Sequence, residues 1–185
     1  MKFINFLLII FITINSPVKA DLNQNSINEL IQGGKLIFIR HAYAPGGGDP
    51  INFDINKCNT QRNLNDSGRK QADKIGSLFT GNNISIHKVY SSEWCRCKET
   101  ALIAFNEFET KNFLNSFFSA KFAQNKNSQI KSFKKFIKSW EGEKNLIFIT
   151  HYVFISEIFD YAPSSGEIII SNKDLKVIDT IEIEY

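Results

Sequence analysis

The stretch Lys35-Leu36-Ile37-Phe38-Ile39-Arg40-His41-Ala42 is an apolar run that ends abruptly in an arginine and a histidine. Its unbroken hydrophobicity reads as a central strand over residues 35–40, buried on both faces. Such a strand delivers Arg40 and His41 to its open end, which is where α/β proteins bind ligands and phosphates. An Arg-His pair at a strand end is more often an ordinary hydrogen-bonded pair than a reactive one. Its meaning therefore depends on what the rest of the chain brings beside it.

A second apolar run, residues 146–150, also ends in a histidine, His151. If both strands lie parallel in one sheet, the two imidazoles share an edge. Between them, a strand over 87–91 leads into Ser92-Glu93-Trp94-Cys95-Arg96 and a helix over about 94–105. This sets Arg96 in a first helical turn, and helix N-termini and guanidinium groups both favour phosphate.

Helices are expected over 25–31, stopped by Gly33-Gly34, and from an N-cap at Asn65 or Asp66 to Gly81, with Ala72, Ile75, Leu78 and Phe79 on one face. Ile130, Phe133, Ile137 and Trp140 repeat at helical spacing opposite Lys131, Lys134, Lys135 and Lys138. That basic face is read as solvated rather than lipid-binding. A further helix is expected over 152–161, and a closing pair of strands over 166–171 and 175–184. Residues 113–118 are either strand or loop. Residues 42–63, carrying Pro45, Gly46, Gly47, Gly48, Asp49 and Pro50, form a loop of the length that is usually functional or disordered. Strands alternating with helices imply an α/β three-layer sandwich, with helices on both faces of a mostly parallel central sheet.

At the N-terminus, Lys2 precedes an apolar stretch over 3–14 and then Ser16-Pro17-Val18-Lys19-Ala20. This reads as a signal peptide over residues 1–20, too short for a membrane span, with an uncleaved anchor as the alternative. A periplasmic or secreted protein is expected, with no stable membrane span after signal removal. Removing those residues takes away two lysines and no acid, so 22 basic and 19 acidic residues become 20 and 19, net +1. A nearly neutral chain gives no electrostatic case for nucleic acid. Residues 21–185 are of a size for one domain with its own core.

In order along the chain stand Phe38-Ile39-Arg40-His41-Ala42, Leu64-x-x-x-Gly68-x-x-Gln71-Ala72, the Ser91–Ala101 segment SSEWCRCKETA, and Thr150-His151. Together these resemble the histidine phosphatase superfamily, the phosphoglycerate-mutase-like proteins. Cys58-Asn59-Thr60-Gln61-Arg62-Asn63-Leu64, with the cysteine just before Arg96, further resembles small secreted bacterial members. The resemblance implies a metal-independent phosphatase that needs no cofactor. His41 would be the nucleophile and pass through a phosphohistidine. Arg40 and Arg96 would clamp the phosphoryl oxygens, and His151 would complete the pocket. The substrate would be a small phosphorylated molecule or a phosphorylated envelope component.

Ala42 stands where the family most often has glycine, which is tolerable only at negative φ. The stretch over 114–125, where many members carry an acidic proton donor, has no carboxylate. Glu93, Glu107, Glu109 and Asp54 are left as candidate acids, each equally read as a surface carboxylate. Arg62 is either a substrate-binding cation or a solubilising one. In an oxidising compartment Cys58 and Cys95 are the preferred disulfide and Cys97 stays free and buried, whereas a structural zinc site would want four ligands. Two rival functions remain, a non-catalytic phosphate-binding envelope protein on the same fold and a phosphomutase.

Overall fold

Residues 24–185 are described by a computed structural model, and the expected signal peptide lies outside the described residues. In chain order the elements are α1 Gln24–Gln32, β1 Leu36–Arg40, α2 Asp66–Gly81, β2 Ile86–Ser91, α3 Cys95–Phe105, β3 Glu109–Thr110, α4 Ala120–Ala123, α5 Lys126–Lys138, β4 Asn145–Thr150, α6 Tyr152–Phe159, β5 Ile168–Ser171 and β6 Val177–Ile181. The strands form a six-stranded sheet in the order β3-β2-β4-β1-β5-β6. The first four are mutually parallel, β5 runs antiparallel to β1, and β6 runs antiparallel to β5. The expected sandwich and mostly parallel sheet are what the chain forms.

Alternation along β1 and β4 divides the core. Ile37, Ile39, Ile147 and Ile149 face α1, α2 and α3, where they meet Leu30, Ile75, Phe79 and Ala101. Leu36, Phe38, Leu146 and Phe148 face the other way, onto Phe133 of α5, Phe154 of α6 and the turn holding Phe113 and Leu114. The first side is built from branched aliphatics. The second is built from rings: Phe133 meets Phe38, Phe148 and Phe154 edge-on at centroid distances of 5.3–5.5 Å.

Register places the two histidines. Arg40 pairs with Thr150, and the His41 amide donates to the Thr150 carbonyl at 2.9 Å, so β1 and β4 end side by side. Asn65 caps α2 by accepting from the Gly68 amide at 2.9 Å. Gly68 has to be glycine, because a Cβ there would lie 1.9 Å from the Tyr43 carbonyl oxygen. This contact and the Gln71 side chain, which accepts from the Tyr43 amide at 2.8 Å and donates to the Ser165 carbonyl at 2.7 Å, fix the loop after His41. Ala42 keeps out of the positive-φ region, so its departure from glycine is without backbone cost.

Several boundaries differ from the sequence reading. The segment over 113–118 is neither strand nor uniform loop but a 3₁₀ turn, Asn112–Leu114, followed by irregular chain. β3 pairs only as Glu109 and Thr110, and α4 has four residues, both too short for a periodicity to register. α5 begins at Lys126, with a polar turn ahead of Ile130, the first apolar residue of its period. Among the described residues no helix is long and apolar enough to cross a membrane.

Candidate active site

Arg40, His41, Arg62, Arg96 and His151 all line one cavity of about 750 Å³ at the open ends of β1 and β4. His41, Arg96 and His151 are buried, at 2, 3 and 2% exposure, so their charges and hydrogen bonds act in a poorly solvated space. β1 supplies Arg40 and the chain leaving it supplies His41. The first turn of α3 supplies Arg96, and β4 ends at His151. The Thr100 hydroxyl ties these pieces together by accepting from the Ala42 amide at 3.0 Å and donating to the Arg96 carbonyl at 2.7 Å.

The hydrogen bonds assign both tautomers. His41 Nδ1 lies 2.8 Å from the Ala42 carbonyl, which can only accept, so Nδ1 carries the proton. Its Nε2 keeps the lone pair and accepts from Arg96 Nε at 3.1 Å. For His151, Nδ1 faces Arg96 Nη2 at 3.4 Å and must accept, so Nε2 is protonated and meets the Ser92 hydroxyl at 2.9 Å. Burial first, and then the charge of Arg96, hold both imidazoles well below the ordinary pKa of 6.5. They are neutral at pH 7.

This depression has a consequence for stability. The unfolded chain takes up protons on these rings as pH falls through 6.5 while the folded chain does not, so stability drops as pH is lowered from 7 toward 5. Thermal unfolding across that range, above the carboxylate window, should show a falling midpoint, and a flat midpoint would contradict the burial of neutral rings.

The cations outnumber the acids. Three guanidinium groups line the cavity against one carboxylate, Asp49. Among the described residues, Arg40 Nε and Arg62 Nε are buried without hydrogen-bond partners. Arg40 donates through Nη1 to the Pro163 carbonyl at 2.8 Å, and Arg62 donates through Nη1 to the Ala44 carbonyl. Burial lowers the pKa of both arginines, and the Arg96 charge adds to the effect. Such a cluster is relieved by an anion with several oxygens, since a phosphoryl group can accept from all of these donors.

Sequence reasoning missed Asp49. Its carboxylate accepts from Arg96 Nη1 at 2.7 Å and Nη2 at 3.3 Å, from the Trp94 indole at 3.0 Å and from the Arg62 amide at 3.0 Å. Burial alone would raise this carboxyl. The Arg96 hydrogen bond and charge outweigh that and hold it below the ordinary carboxylate range. Its place within the Gly-rich loop was the available signal, but nothing in an aperiodic loop announces a partner 47 residues away.

The candidate acids do not reach the cavity. Glu93 accepts from Asn115 Nδ2 at 2.6 Å, Glu109 pairs with Lys88 at 2.8 Å, and Asp54 pairs with Lys57 at 3.6 Å. Among the described residues neither these nor Glu107 line it. The segment without carboxylates instead contributes Ser116, Phe118, Ser119, Lys121 and Phe122 to the wall. Phe118 and Ile51, 58 and 106% exposed, form an apolar lip.

Cys58 and Cys95 are bonded, tying the long loop to the start of α3 one residue before Arg96. Across a separation of 37 residues, the chain-entropy account gives such a link about 3–4 kcal/mol. Cys97 is free and buried; burial first pushes its thiol up to about 12, so it is inert as a nucleophile. Among the described residues no group of three or more His, Cys, Asp or Glu side chains is placed to hold a metal.

The fold recurs in solved structures. The protein histidine phosphatase SixA, solved with tungstate, is 13% identical, with 81% of this chain and 96% of that one covered and a TM-score of 0.54. The product of an open reading frame of Mycobacterium tuberculosis is 16% identical over 81% and 96%, with a TM-score of 0.58. A mycobacterial glucosyl-3-phosphoglycerate phosphatase is 11% identical over 82% and 99%, with a TM-score of 0.54. Among curated proteins no sequence match is found. The model of the histidine phosphatase superfamily (branch 1) matches residues 36–145, which run from β1 through the Arg96 helix to the first residue of β4. By that match the chain belongs to the histidine phosphatase superfamily, branch 1.

Proposed function

We propose that the protein is a phosphatase working through a phosphohistidine on His41. The Nε2 lone pair forms the N–P bond as the bond from phosphorus to the leaving group breaks, and the leaving group departs with that electron pair. Water then attacks phosphorus, the N–P bond breaks, and inorganic phosphate leaves. Arg40, Arg62 and Arg96 hold the phosphoryl oxygens while charge spreads over them, and His151 closes the site. The observation that carries this reading is the His41 tautomer: Nδ1–H is spent on the Ala42 carbonyl, so the lone pair of Nε2 turns toward the arginines. A phosphate-binding protein without catalysis would need the cations but not that tautomer. A mutase would also need an acid and a closing lid to protect a bound intermediate.

The same reading extends to the rest of the chain. Residues 1–20 are a signal peptide and 21–185 the phosphatase domain, working in the periplasm or outside the cell, and the Cys58–Cys95 bond supports an oxidising compartment. The substrate is a small phosphorylated molecule or a phosphorylated envelope component.

The leaving group is one that needs little protonation, such as a phosphoramidate, acyl phosphate or phosphoanhydride. Asp49, the carboxylate at the cavity, is held ionised by Arg96 and has no proton to give at neutral pH. A positioned general acid contributes about 10²–10⁴-fold. Turnover of p-nitrophenyl phosphate should therefore exceed that of an alkyl phosphate by about 100-fold or more, and equal rates would overturn the assignment.

A further inference from the structure

Every N–H of Arg96 already has a protein acceptor. The two ends of its guanidinium, Nη1 and Nη2, meet the Asp49 carboxylate, and Nη1 also reaches the Arg62 carbonyl at 3.2 Å. Its side edge, Nε and the second N–H of Nη2, faces His41 and His151 at 3.1 and 3.4 Å. A phosphoryl group entering the site must therefore take over donors already in use. The two edges differ in what they would give up. The Asp49 edge is a charge-assisted, two-point pair with a carboxylate, whereas the histidine edge bonds only neutral rings. Exchange falls on the histidine edge, whose two parallel N–H groups match two phosphoryl oxygens.

We infer that Asp49 is a positioning residue for Arg96: it fixes one edge of the guanidinium so that the other is presented, in register with His41, to the phosphoryl group. Asp49 is itself held by the Trp94 indole and the Arg62 amide, and the Cys58–Cys95 bond fastens its loop to α3. The loop of Gly46, Gly47 and Gly48 thus serves to bring a carboxylate back onto the arginine. Two of these glycines adopt positive φ, 92° at Gly46 and 83° at Gly48, the conformation that lets the chain double back. The inference rests on the phosphatase reading for its kinetic part only.

Asp49→Asn, which keeps the shape and removes the charge, tests it alongside Asp49→Ala. For wild type and both variants, kcat/KM is measured on p-nitrophenyl phosphate and phenyl phosphate, and tungstate affinity by calorimetry. Asp49→Asn should lose about 10- to 150-fold on both substrates alike, the range of a hydrogen bond to a charged group, and should bind tungstate more weakly. Formate, at concentrations that leave the wild type unaffected, should restore part of the activity of Asp49→Ala by replacing the carboxylate.

A loss confined to phenyl phosphate, the poorer leaving group, would make Asp49 an acid and overturn the proposal. So would unchanged tungstate affinity in Asp49→Asn, or a loss that tracks a lowered unfolding midpoint without any formate rescue. If the wild type turns over no phosphate compound, the phosphatase reading fails. The tungstate comparison then still decides the role of Asp49.

Discussion

His41→Ala is expected to lose turnover by about 10⁴-fold or more, as removal of a covalent nucleophile does, and to leave no acid-labile phosphate on the chain after rapid quenching. The wild type, quenched during turnover, should carry label that survives base and is lost in acid. The expectation follows from a ring that is buried, neutral and fixed in one tautomer, with its only lone pair toward the guanidinium cluster. Deleting a buried imidazole also removes packing, so His41→Asn, of similar polarity and smaller change in volume, is the companion variant. Both should still bind tungstate, since the arginines remain. Activity above about 1% of wild type in both folded variants would mean that His41 forms no intermediate.

Arg96→Lys is the second large effect, with a loss of about 10³-fold in kcat/KM expected mainly through kcat, the scale seen when a cation is removed from a phosphoryl transition state. Lysine keeps a positive charge beside Asp49, so the carboxylate is not left buried and unpaired as it would be in Arg96→Ala. What lysine lacks is the planar fork. Arg96 simultaneously serves Asp49, His41 and His151 in fixed directions, and a point charge on a flexible stem cannot reproduce that. Near-wild-type kcat in Arg96→Lys, with folding intact, would reduce the residue to a source of positive potential.

The strands that make the sheet were legible because β1 and β4 are unbroken apolar runs, each ended by a polar residue at the sheet edge. Their division into an isoleucine face and a phenylalanine face was not legible. When both faces are buried the hydrophobic alternation vanishes, and only the packed helices distinguish the sides. β3 and α4 escaped notice because two and four residues carry no period. The first turn of α5 escaped because its four residues, Lys126 to Gln129, are all polar.

The site divides in the same way. Arg40, His41 and His151 sit at strand ends, and Arg96 stands in the first turn of a helix that follows a strand, so local pattern places each of them at one edge. Arg62 belongs to an aperiodic loop, and its arrival at the cavity depends on long-range contacts: the Asp49 carboxylate holding its amide, the Cys58–Cys95 bond, and the Gln61 side chain accepting from the Cys95 amide at 2.9 Å. The acids proposed on composition, Glu93, Glu107, Glu109 and Asp54, failed to reach the cavity for the same reason. Glu109 and Asp54 pair with lysines, and Glu93 accepts from Asn115.

The sequence by itself determined the layered α/β fold, the parallel strands that end in histidines, the order of the family's motifs and the absence of a carboxylate over residues 114–125. Each of these is a local property, carried by burial, periodicity or composition within a few turns of chain. Only the tertiary structure decided the tautomers of His41 and His151, the pairing of Asp49 with Arg96, and, among the described residues, that Glu93, Glu107, Glu109 and Asp54 do not line the cavity. Those depend on which donor meets which acceptor across tens of residues. In a buried site a single hydrogen bond fixes where the proton resides, and no local pattern of residue types records that choice.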